Sequence, residues 1–245
     1  MIDTLTALAV IPGILIIIYV YRKDKVEKEP VGLIVRLLAL GAVSCIVAGF
    51  AESFASAFLP SFPTGTLEYA LVNSFALAAF WEELLKYLAL RIGSWRSPHF
   101  NYRVDGVVYG VSSAVGFAIV ENIMYVYEYE YEYGYQTALV RAFTAVPLHA
   151  FCGVAMGVFY AMAKKESIQG RSSGFGYTLL ALIVPMMIHG VYDTMAFMRT
   201  EASTIGLLVF IVIMYIAAII TIRKLSKADY TAGFYETADN IRLSR

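Results

Sequence analysis

Long apolar runs separated by short polar segments dominate the chain. A membrane-spanning helix needs about 20 mostly apolar residues, and seven windows of this sequence qualify. Turn residues or clusters of charge separate each window from the next. The pattern predicts an all-α fold, a polytopic bundle of seven transmembrane helices. The windows cover residues 3–21, 32–59, 67–90, 105–127, 137–162, 175–198 and 203–222.

The composition supports a location in lipid. Of the 245 residues, 59% are hydrophobic and 16% are charged, whereas a soluble domain has about 25% charged residues. The excess apolar surface requires the lipid bilayer as a partner, so we expect a multi-pass protein of the cell membrane. The formal net charge is zero, which excludes the overall basic balance of a nucleic-acid-binding domain.

The distribution of Lys and Arg predicts the orientation, because cytoplasmic loops hold the excess of these residues. Basic residues cluster after the first, third, fifth and seventh windows, whereas the other three connections carry only Arg199. We therefore expect the N-terminus outside and the C-terminus in the cytosol. The basic residues are Arg22, Lys23, Lys25, Lys28, Arg91, Arg96, Arg103, Lys164, Lys165, Arg171, Arg223, Lys224 and Lys227.

The whole chain, residues 1–245, is expected to form one domain. Alternating Tyr and Glu at residues 127–133 form a low-complexity external segment, which suits the aromatic belt of a membrane interface. The polar residues 228–245 are expected to form a weakly ordered cytosolic tail. Cys45 and Cys152 fall inside apolar runs, where a cysteine packs as a small apolar residue.

Five charged residues lie well inside the third, fourth and sixth predicted spans, four or more residues from either end. Each costs about 3 kcal/mol at the centre of a membrane helix, on the order of 15 kcal/mol together if they were left unpaired. That sum exceeds the stability of a typical domain, so these side chains must face one another or a wet cavity. They are Glu82, Glu83, Lys86, Glu121 and Asp193.

The third span carries three of these charges in the motif Glu82-Glu83-x-x-Lys86. Helical geometry separates Glu82 from Glu83 by about 100° and from Lys86 by about 40°, so Lys86 lies angularly between the two carboxylates. We expect the ammonium to neutralise one carboxylate and to leave the other for chemistry.

The fourth span carries a stripe of mostly small residues that leads to a glutamate. Small residues allow neighbouring helices to approach closely, so this face is expected to pack inside the bundle. Asn122 follows the glutamate directly. The stripe comprises Gly106, Gly110, Ser113, Phe117 and Glu121.

Two histidines lie in the next two spans. His149 follows Pro147 by two residues in the fifth span, and His189 precedes Asp193 by four residues in the sixth. The i,i+4 step puts His189 and Asp193 on one helix face. A carboxylate in that position fixes the orientation and tautomer of an imidazole.

Together these motifs resemble the PrsW family of intramembrane proteases, within the wider group that includes the CAAX prenyl endopeptidases and the bacterial CPBP proteins. The resemblance covers about residues 75–195. The prenyl endopeptidases usually carry His in place of Glu121, which points to the PrsW branch. The motifs are Glu82-Glu83-x-x-Lys86, Phe117-x-x-x-Glu121-Asn122, His149 and His189-x-x-x-Asp193.

The resemblance implies hydrolysis of a peptide bond in a membrane-anchored protein or peptide. PrsW-like proteins are associated with clipping the extracytoplasmic part of an anti-sigma factor, as the first cut of a stress-response cascade. The catalytic set carried over by the motifs is Glu82, Glu83, Lys86, Glu121, Asn122, His149, His189 and Asp193.

The residues are compatible with two forms of this chemistry. Glu82 is expected to act as the general base, with Glu83 as the alternative or as the partner of Lys86. Glu121, His149 and His189 then hold either a metal ion or the water and oxyanion directly. Two imidazoles and one carboxylate form a known catalytic zinc set, and a metal-free glutamate mechanism fits equally.

One geometric conflict and one rival function stay open at this level. On straight helices the depths of Glu82 and Glu121 in the membrane differ by more than about 10 Å. Relays of Glu, His and Asp are also typical of proton-coupled transporters and ion channels, which form the alternative function. A non-enzymatic scaffold gives no reason for so many intramembrane charges.

Overall fold

A computed structural model of the chain describes residues 4–25, 27–128 and 133–231, and within these residues the structure is helical with no strand. Six helices are long and apolar enough to cross a membrane, so the predicted polytopic helix bundle is confirmed. The helices are α1 (Thr4–Lys23), α2 (Val31–Ser56), α3 (Leu67–Leu71), α4 (Phe80–Ser94), α5 (Arg103–Glu128), α6 (Gly134–Phe143), α7 (Ala145–Ile168), α8 (Gly174–Met198) and α9 (Glu201–Thr231).

The third predicted span is a continuous helical run of mixed geometry. The hydroxyl of Thr66 caps its start by accepting the backbone N–H of Tyr69. The run begins with α3, continues as a π-helix over Val72–Ala79 and ends with α4. The π segment directly precedes the first turn of α4, which carries Glu82 and Glu83. Wider π turns are often found at functional sites.

The fifth predicted span, expected over 137–162, lies within one membrane-long helical run, Gly134–Ile168, which a single turn residue, Thr144, divides into α6 and α7. The physical reason is Pro147, whose ring clashes with the carbonyl four residues earlier and whose nitrogen donates no hydrogen bond. That carbonyl belongs to Phe143, and it accepts instead from the hydroxyl of Tyr215 in α9.

The C-terminal boundary also differs from the expectation. Helix α9 continues to Thr231, so the first residues of the predicted tail, 228–231, are helical. The rest of the tail lies outside the described residues, as do residues 129–132 of the Tyr/Glu segment. Tyr127 and Glu128 form the end of α5.

Helix α5 lies at the centre of the bundle and is buried along most of its length. It packs against α7, α2 and α1. Gly110 of α5 meets Gly153 of α7 so closely that a Cβ on either residue would overlap the backbone of the other. The small-residue stripe predicted on this helix is therefore a helix–helix contact, as close approach requires.

The four basic segments lie together at one end of the bundle. This common location agrees with the alternation of charge along the chain. Three hydrogen bonds connect the segments: Lys164 Nζ donates to the Trp95 carbonyl (2.6 Å), Asn101 Nδ2 to Glu27 (2.8 Å) and Ser226 Oγ to the Lys23 carbonyl (2.6 Å). Cys45 and Cys152 are free and buried, as expected for small packing residues.

Candidate active site

The charged motif of α4 forms a compact ion cluster inside the bundle. Lys86 Nζ donates to Glu82 Oε2 at 3.0 Å and to Glu83 Oε1 at 2.9 Å. All three side chains are buried. The ammonium lies between the carboxylates as the helical angles predict. It contacts both of them, whereas the sequence analysis expected it to neutralise only one.

His149 connects this cluster to the next helix. Its Nδ1 lies 2.8 Å from Lys86 Nζ, and its Nε2 lies 2.8 Å from Glu121 Oε2. The ammonium has protons to donate, so Nδ1 is the acceptor and Nε2 carries the proton that Glu121 accepts. The tautomer of His149 therefore follows from its two neighbours.

His189 approaches the cluster from α8. Its Nδ1 lies 2.8 Å from Glu83 Oε1 and 3.9 Å from Glu82 Oε2. Its Nε2 lies 3.3 Å from Asp193 Oδ2, on the helix face that the i,i+4 spacing predicts. His189 and Asp193 thus bring α8 to the carboxylates of α4.

The two histidines share one arrangement. Each imidazole turns Nδ1 inward to the Glu82–Lys86 cluster and Nε2 outward to a carboxylate, Glu121 for His149 and Asp193 for His189. The two rings are edge-on to each other, with centroids 5.2 Å apart. A carboxylate behind an imidazole is the usual support of a catalytic or metal-binding histidine.

Four side chains converge closely enough to hold a metal ion. One ligand atom from each of Glu82, Glu83, His149 and His189 lies within 4.8 Å of all the others. Glu83 Oε2 is buried and accepts no hydrogen bond in the described part of the chain. Two imidazoles, two carboxylates and an unused carboxylate oxygen are suitable donors for zinc.

This set differs from the expected ligands Glu121, His149 and His189. The group of four contains both imidazoles and the two carboxylates of α4, whereas Glu121 lies on the Nε2 side of the His149 ring. The same ring connects Glu121 to the α4 cluster, although straight helices would place Glu82 and Glu121 at different depths. The two carboxylates are joined through Lys86 and His149, so they do not need to reach the same level.

Arg141 is a site residue that the sequence analysis missed. Its guanidinium donates to Glu121 Oε2 at 2.6 Å and to Asn122 Oδ1 at 2.9 Å, and it stacks on Tyr125 at 4.0 Å. Asn122 in turn donates to the Ala9 carbonyl of α1. Asn122 thus connects Arg141 to α1. An arginine within an apolar window was the available signal, the same signal that singled out Glu121.

Two stripe residues of α5 hold Lys86 in place. Ser113 Oγ donates to the Lys86 carbonyl at 2.9 Å, and the Phe117 ring lies 4.0 Å from the ammonium. A cation over an aromatic face is stabilised by the ring quadrupole. The Phe117 ring also packs against His149.

A cavity of about 530 Å³ leads to the cluster. Glu82 lines it together with both histidines, whereas Glu83 does not. Glu52 of α2 lines it too, a second acidic residue that the sequence analysis did not single out. The walls continue to Glu128 and Arg199 at the ends of α5 and α8, at the end of the bundle opposite the basic segments.

A second group of carboxylates lies at the basic end. Asp24, Glu29 and Asp105 are buried, and their oxygens lie within 4.8 Å of one another. Glu29 is in the connection between α1 and α2 and accepts a hydrogen bond from the Tyr109 hydroxyl. Burial raises the pKa of Glu29 to about 7, and the nearby charge of Asp24 adds to the shift.

Comparison with known proteins gives a consistent result. A family profile described as "PrsW family intramembrane metalloprotease" matches residues 29–220. "Protease PrsW" of Bacillus subtilis is 35% identical over 182 residues, 74% of this chain and 78% of the relative. "Protease PrsW" of Halalkalibacterium halodurans is 28% identical over 229 residues, 94% of this chain and the full length of the relative. No solved structure matches the chain.

Proposed function

This chain belongs to the PrsW family of intramembrane proteases, and from that membership we propose that the Glu82–Lys86 cluster is its peptidase centre. The protein is a multi-pass membrane endopeptidase that acts on membrane substrates. The observation that carries the assignment is the convergence of two carboxylate-supported imidazoles, His149 and His189, on one buried cluster. The transporter alternative has no comparable support.

Glu82 is the proposed general base. It lines the cavity that a peptide and a water molecule would enter, whereas Glu83 is fully buried behind it. Its carboxylate takes a proton from the attacking water and returns it to the departing amine. Glu83 holds Lys86 and His189 in position.

Zinc is the proposed metal, and Glu83, His149 and His189 are its proposed ligands. Glu83 Oε2 has no hydrogen-bond partner among the described residues, and both imidazoles face inward through Nδ1. When bound, zinc lowers the pKa of a water molecule and polarises the scissile carbonyl. The Lys86 ammonium contacts two of the same donors, Glu83 and His149, so it would compete with a metal ion for them.

The outer carboxylates are proposed as positioning residues. Glu121 and Asp193 each hold one imidazole through Nε2. Arg141 then fixes Glu121. Lys86 supplies the positive charge that stabilises the oxyanion of the tetrahedral intermediate.

The substrate is proposed to be a membrane-anchored protein cut on the extracytoplasmic side. The basic segments at the opposite end favour a cytosolic location for that end, with the N-terminus outside. The cavity then opens outward, past Glu128 and Arg199. An anti-sigma factor is the proposed substrate class, on the resemblance of the motifs alone. We also propose that residues 1–245 form a single domain. A further proposal is that the protein is related to the CAAX prenyl endopeptidases and the CPBP proteins.

The test uses purified protein in liposomes with a pool of single-span membrane peptides. Glu82→Gln should lower cleavage about 100-fold or more, as expected for loss of a general base. Glu83→Gln should lower cleavage and bound zinc together. The matched control is Glu68→Gln, an exposed residue of the same helical run, which should keep full activity.

Two outcomes would contradict these assignments separately. Full activity of both Glu82→Gln and Glu83→Gln would show that the cluster takes no part in catalysis. If chelator-treated protein without bound metal cleaves as fast as before, the zinc proposal is contradicted. Glu82 would then be the base of a metal-free mechanism.

A further inference from the structure

An apolar cleft separates α1 from α9 on the side of α7 that faces away from the peptidase cluster. Its volume is about 340 Å³, and its lining is almost entirely hydrophobic. The deep wall is formed by α5 and α7 and the two sides by α1 and α9. The residues that define it are Ile16, Val20, Val111, Phe151, Ala218 and Ile222.

A basic basin lies beside this cleft at the end of the bundle. It has a volume of about 770 Å³ and carries six basic side chains against one acidic side chain. Ends of two helices and one connection contribute these charges, so the concentration is a product of tertiary structure. The basic residues are Arg22, Lys23, Lys25, Lys28, Arg223 and Lys227.

Arg223 joins the two spaces, because its side chain lines both the cleft and the basin. It follows Ile222, the last apolar residue of the cleft in α9. Between Tyr215 and Arg223 the cleft extends about 12 Å along α9, at 1.5 Å per residue. An apolar channel thus ends directly at a concentration of positive charge.

Hydrogen bonds to backbone carbonyls hold the segments of the basin together. Ser226 Oγ donates to the Lys23 carbonyl and so connects α9 to α1. Lys28 Nζ donates to the carbonyls of Tyr21 and Asp24. Carbonyl oxygens satisfy the protons of an ammonium without neutralising it, so Lys28 keeps its charge, and the basin has an excess of basic over acidic side chains.

We propose that this cleft and basin form a binding site for one anionic phospholipid, with an acyl chain in the cleft and the phosphate of the headgroup in the basin. Basic pockets between transmembrane helices are suited to anionic headgroups. A zwitterionic lipid gains less, because its ammonium offsets the phosphate charge. Basic residues that only set the topology would need no apolar cleft leading into them.

The experiment measures lipid bound to delipidated, detergent-purified protein. Phosphatidylglycerol and phosphatidylcholine with the same acyl chains are titrated separately, and bound lipid is counted by mass spectrometry of the intact protein. The wild type should prefer phosphatidylglycerol. Removing two basin charges in Arg223→Gln/Lys227→Gln should reduce that preference about 30-fold, from about 5-fold for each charge near a headgroup.

The matched control removes two exposed charges at the same end that line neither space, in Arg96→Gln/Lys224→Gln. This control should keep the preference. Ala218→Leu, which narrows the cleft, should weaken retention of both lipids. Ile220→Phe, which enlarges an exposed side chain outside the cleft, should not. Cleavage activity and helical content report whether each variant is folded.

Three results would overturn the proposal. If the basin variant and its control lose the preference for phosphatidylglycerol equally, the lipid is attracted by surface charge in general and not by the basin. Full competition by glycerol phosphate, together with no effect of Ala218→Leu, would show a site for a free anion. Equal binding of the two lipids by the wild type would show that the site does not recognise the headgroup.

Discussion

The Nε2 atom of His149 lies 2.8 Å from Oε2 of Glu121, across the contact between α7 and α5. This hydrogen bond places Glu121 at the outer side of the imidazole, and Glu121 is not among the four residues whose ligand atoms converge. The same relationship recurs between His189 and Asp193 within α8. Both carboxylates therefore have a role that can be separated from that of the α4 carboxylates.

Glu121→Gln should lower kcat about 10- to 100-fold, the usual cost of removing the support of a metal-binding histidine. KM should change little, because the amide still fits beside His149. Asp193→Asn should have a comparable effect through His189. Steady-state cleavage kinetics and zinc content would be measured together. A change confined to KM would instead place Glu121 in substrate binding.

Lys86→Gln should bind zinc more tightly than the wild type while losing most cleavage activity. The ammonium contacts Glu83 and His149, both proposed ligands, so its removal frees them for a metal ion. Isothermal titration with zinc provides the measurement, and Lys224→Gln, an exposed residue of α9, is the control. Weaker zinc binding by Lys86→Gln would show that the ammonium supports the metal site and does not compete with it.

Arg141→Gln should destabilise the protein by about 3 kcal/mol, because removing one partner of a buried ion pair leaves the other charge uncompensated. Glu121 and Arg141 are each about five-sixths buried, with side chains 16% and 15% exposed. The double variant Glu121→Gln/Arg141→Gln should recover part of this loss. The loss of stability would be measured by circular dichroism during unfolding in detergent. Additive losses would show that the two residues act independently.

Gly110→Ala should destabilise the bundle by about 1–3 kcal/mol through overpacking. The added Cβ would overlap the backbone of Gly153 in α7. Gly32→Ala is the matched control, since a Cβ on Gly32 meets no atom within 4 Å and alanine favours helix. An equal thermal midpoint for Gly110→Ala and the wild type would contradict the close contact of α5 and α7.

Stability should fall as the pH rises through the range between the ordinary pKa of a glutamate and about 7. The folded-state pKa of Glu29 is raised to about 7 by burial, so the folded protein binds more protons than the unfolded chain in this window. Glu29→Gln keeps an acceptor for Tyr109 and should flatten the dependence. Thermal midpoints across this pH range would measure it, and the exposed Glu68→Gln in α3 should leave the slope unchanged.

The spans and most of the charged site could be predicted because both are local properties of the sequence. An apolar run long enough to cross the bilayer is visible without tertiary structure. A glutamate such as Glu82 in that run is conspicuous for its cost alone. The i,i+4 relation of His189 and Asp193 follows from helix geometry. These signals were sufficient to identify the family.

Other features could not be read locally. A proline can either bend a helix or end it, so the division at Thr144, three residues before Pro147, was visible only in the structure. Arg141 and Glu52 carried the same signal as Glu121 but were not connected to it until the helices were assembled around one cavity.

The sequence by itself determined the helical membrane fold and the set of charges that had to meet inside it. Only the tertiary structure decided how they meet. In the structure each histidine faces the cluster through Nδ1, and Glu121 lies at the Nε2 side of His149. Glu83 contacts His189, which is 106 residues away in the sequence. Hydropathy and helical period specify the face on which a side chain lies, whereas the distance between two faces depends on packing between helices, which no local pattern encodes.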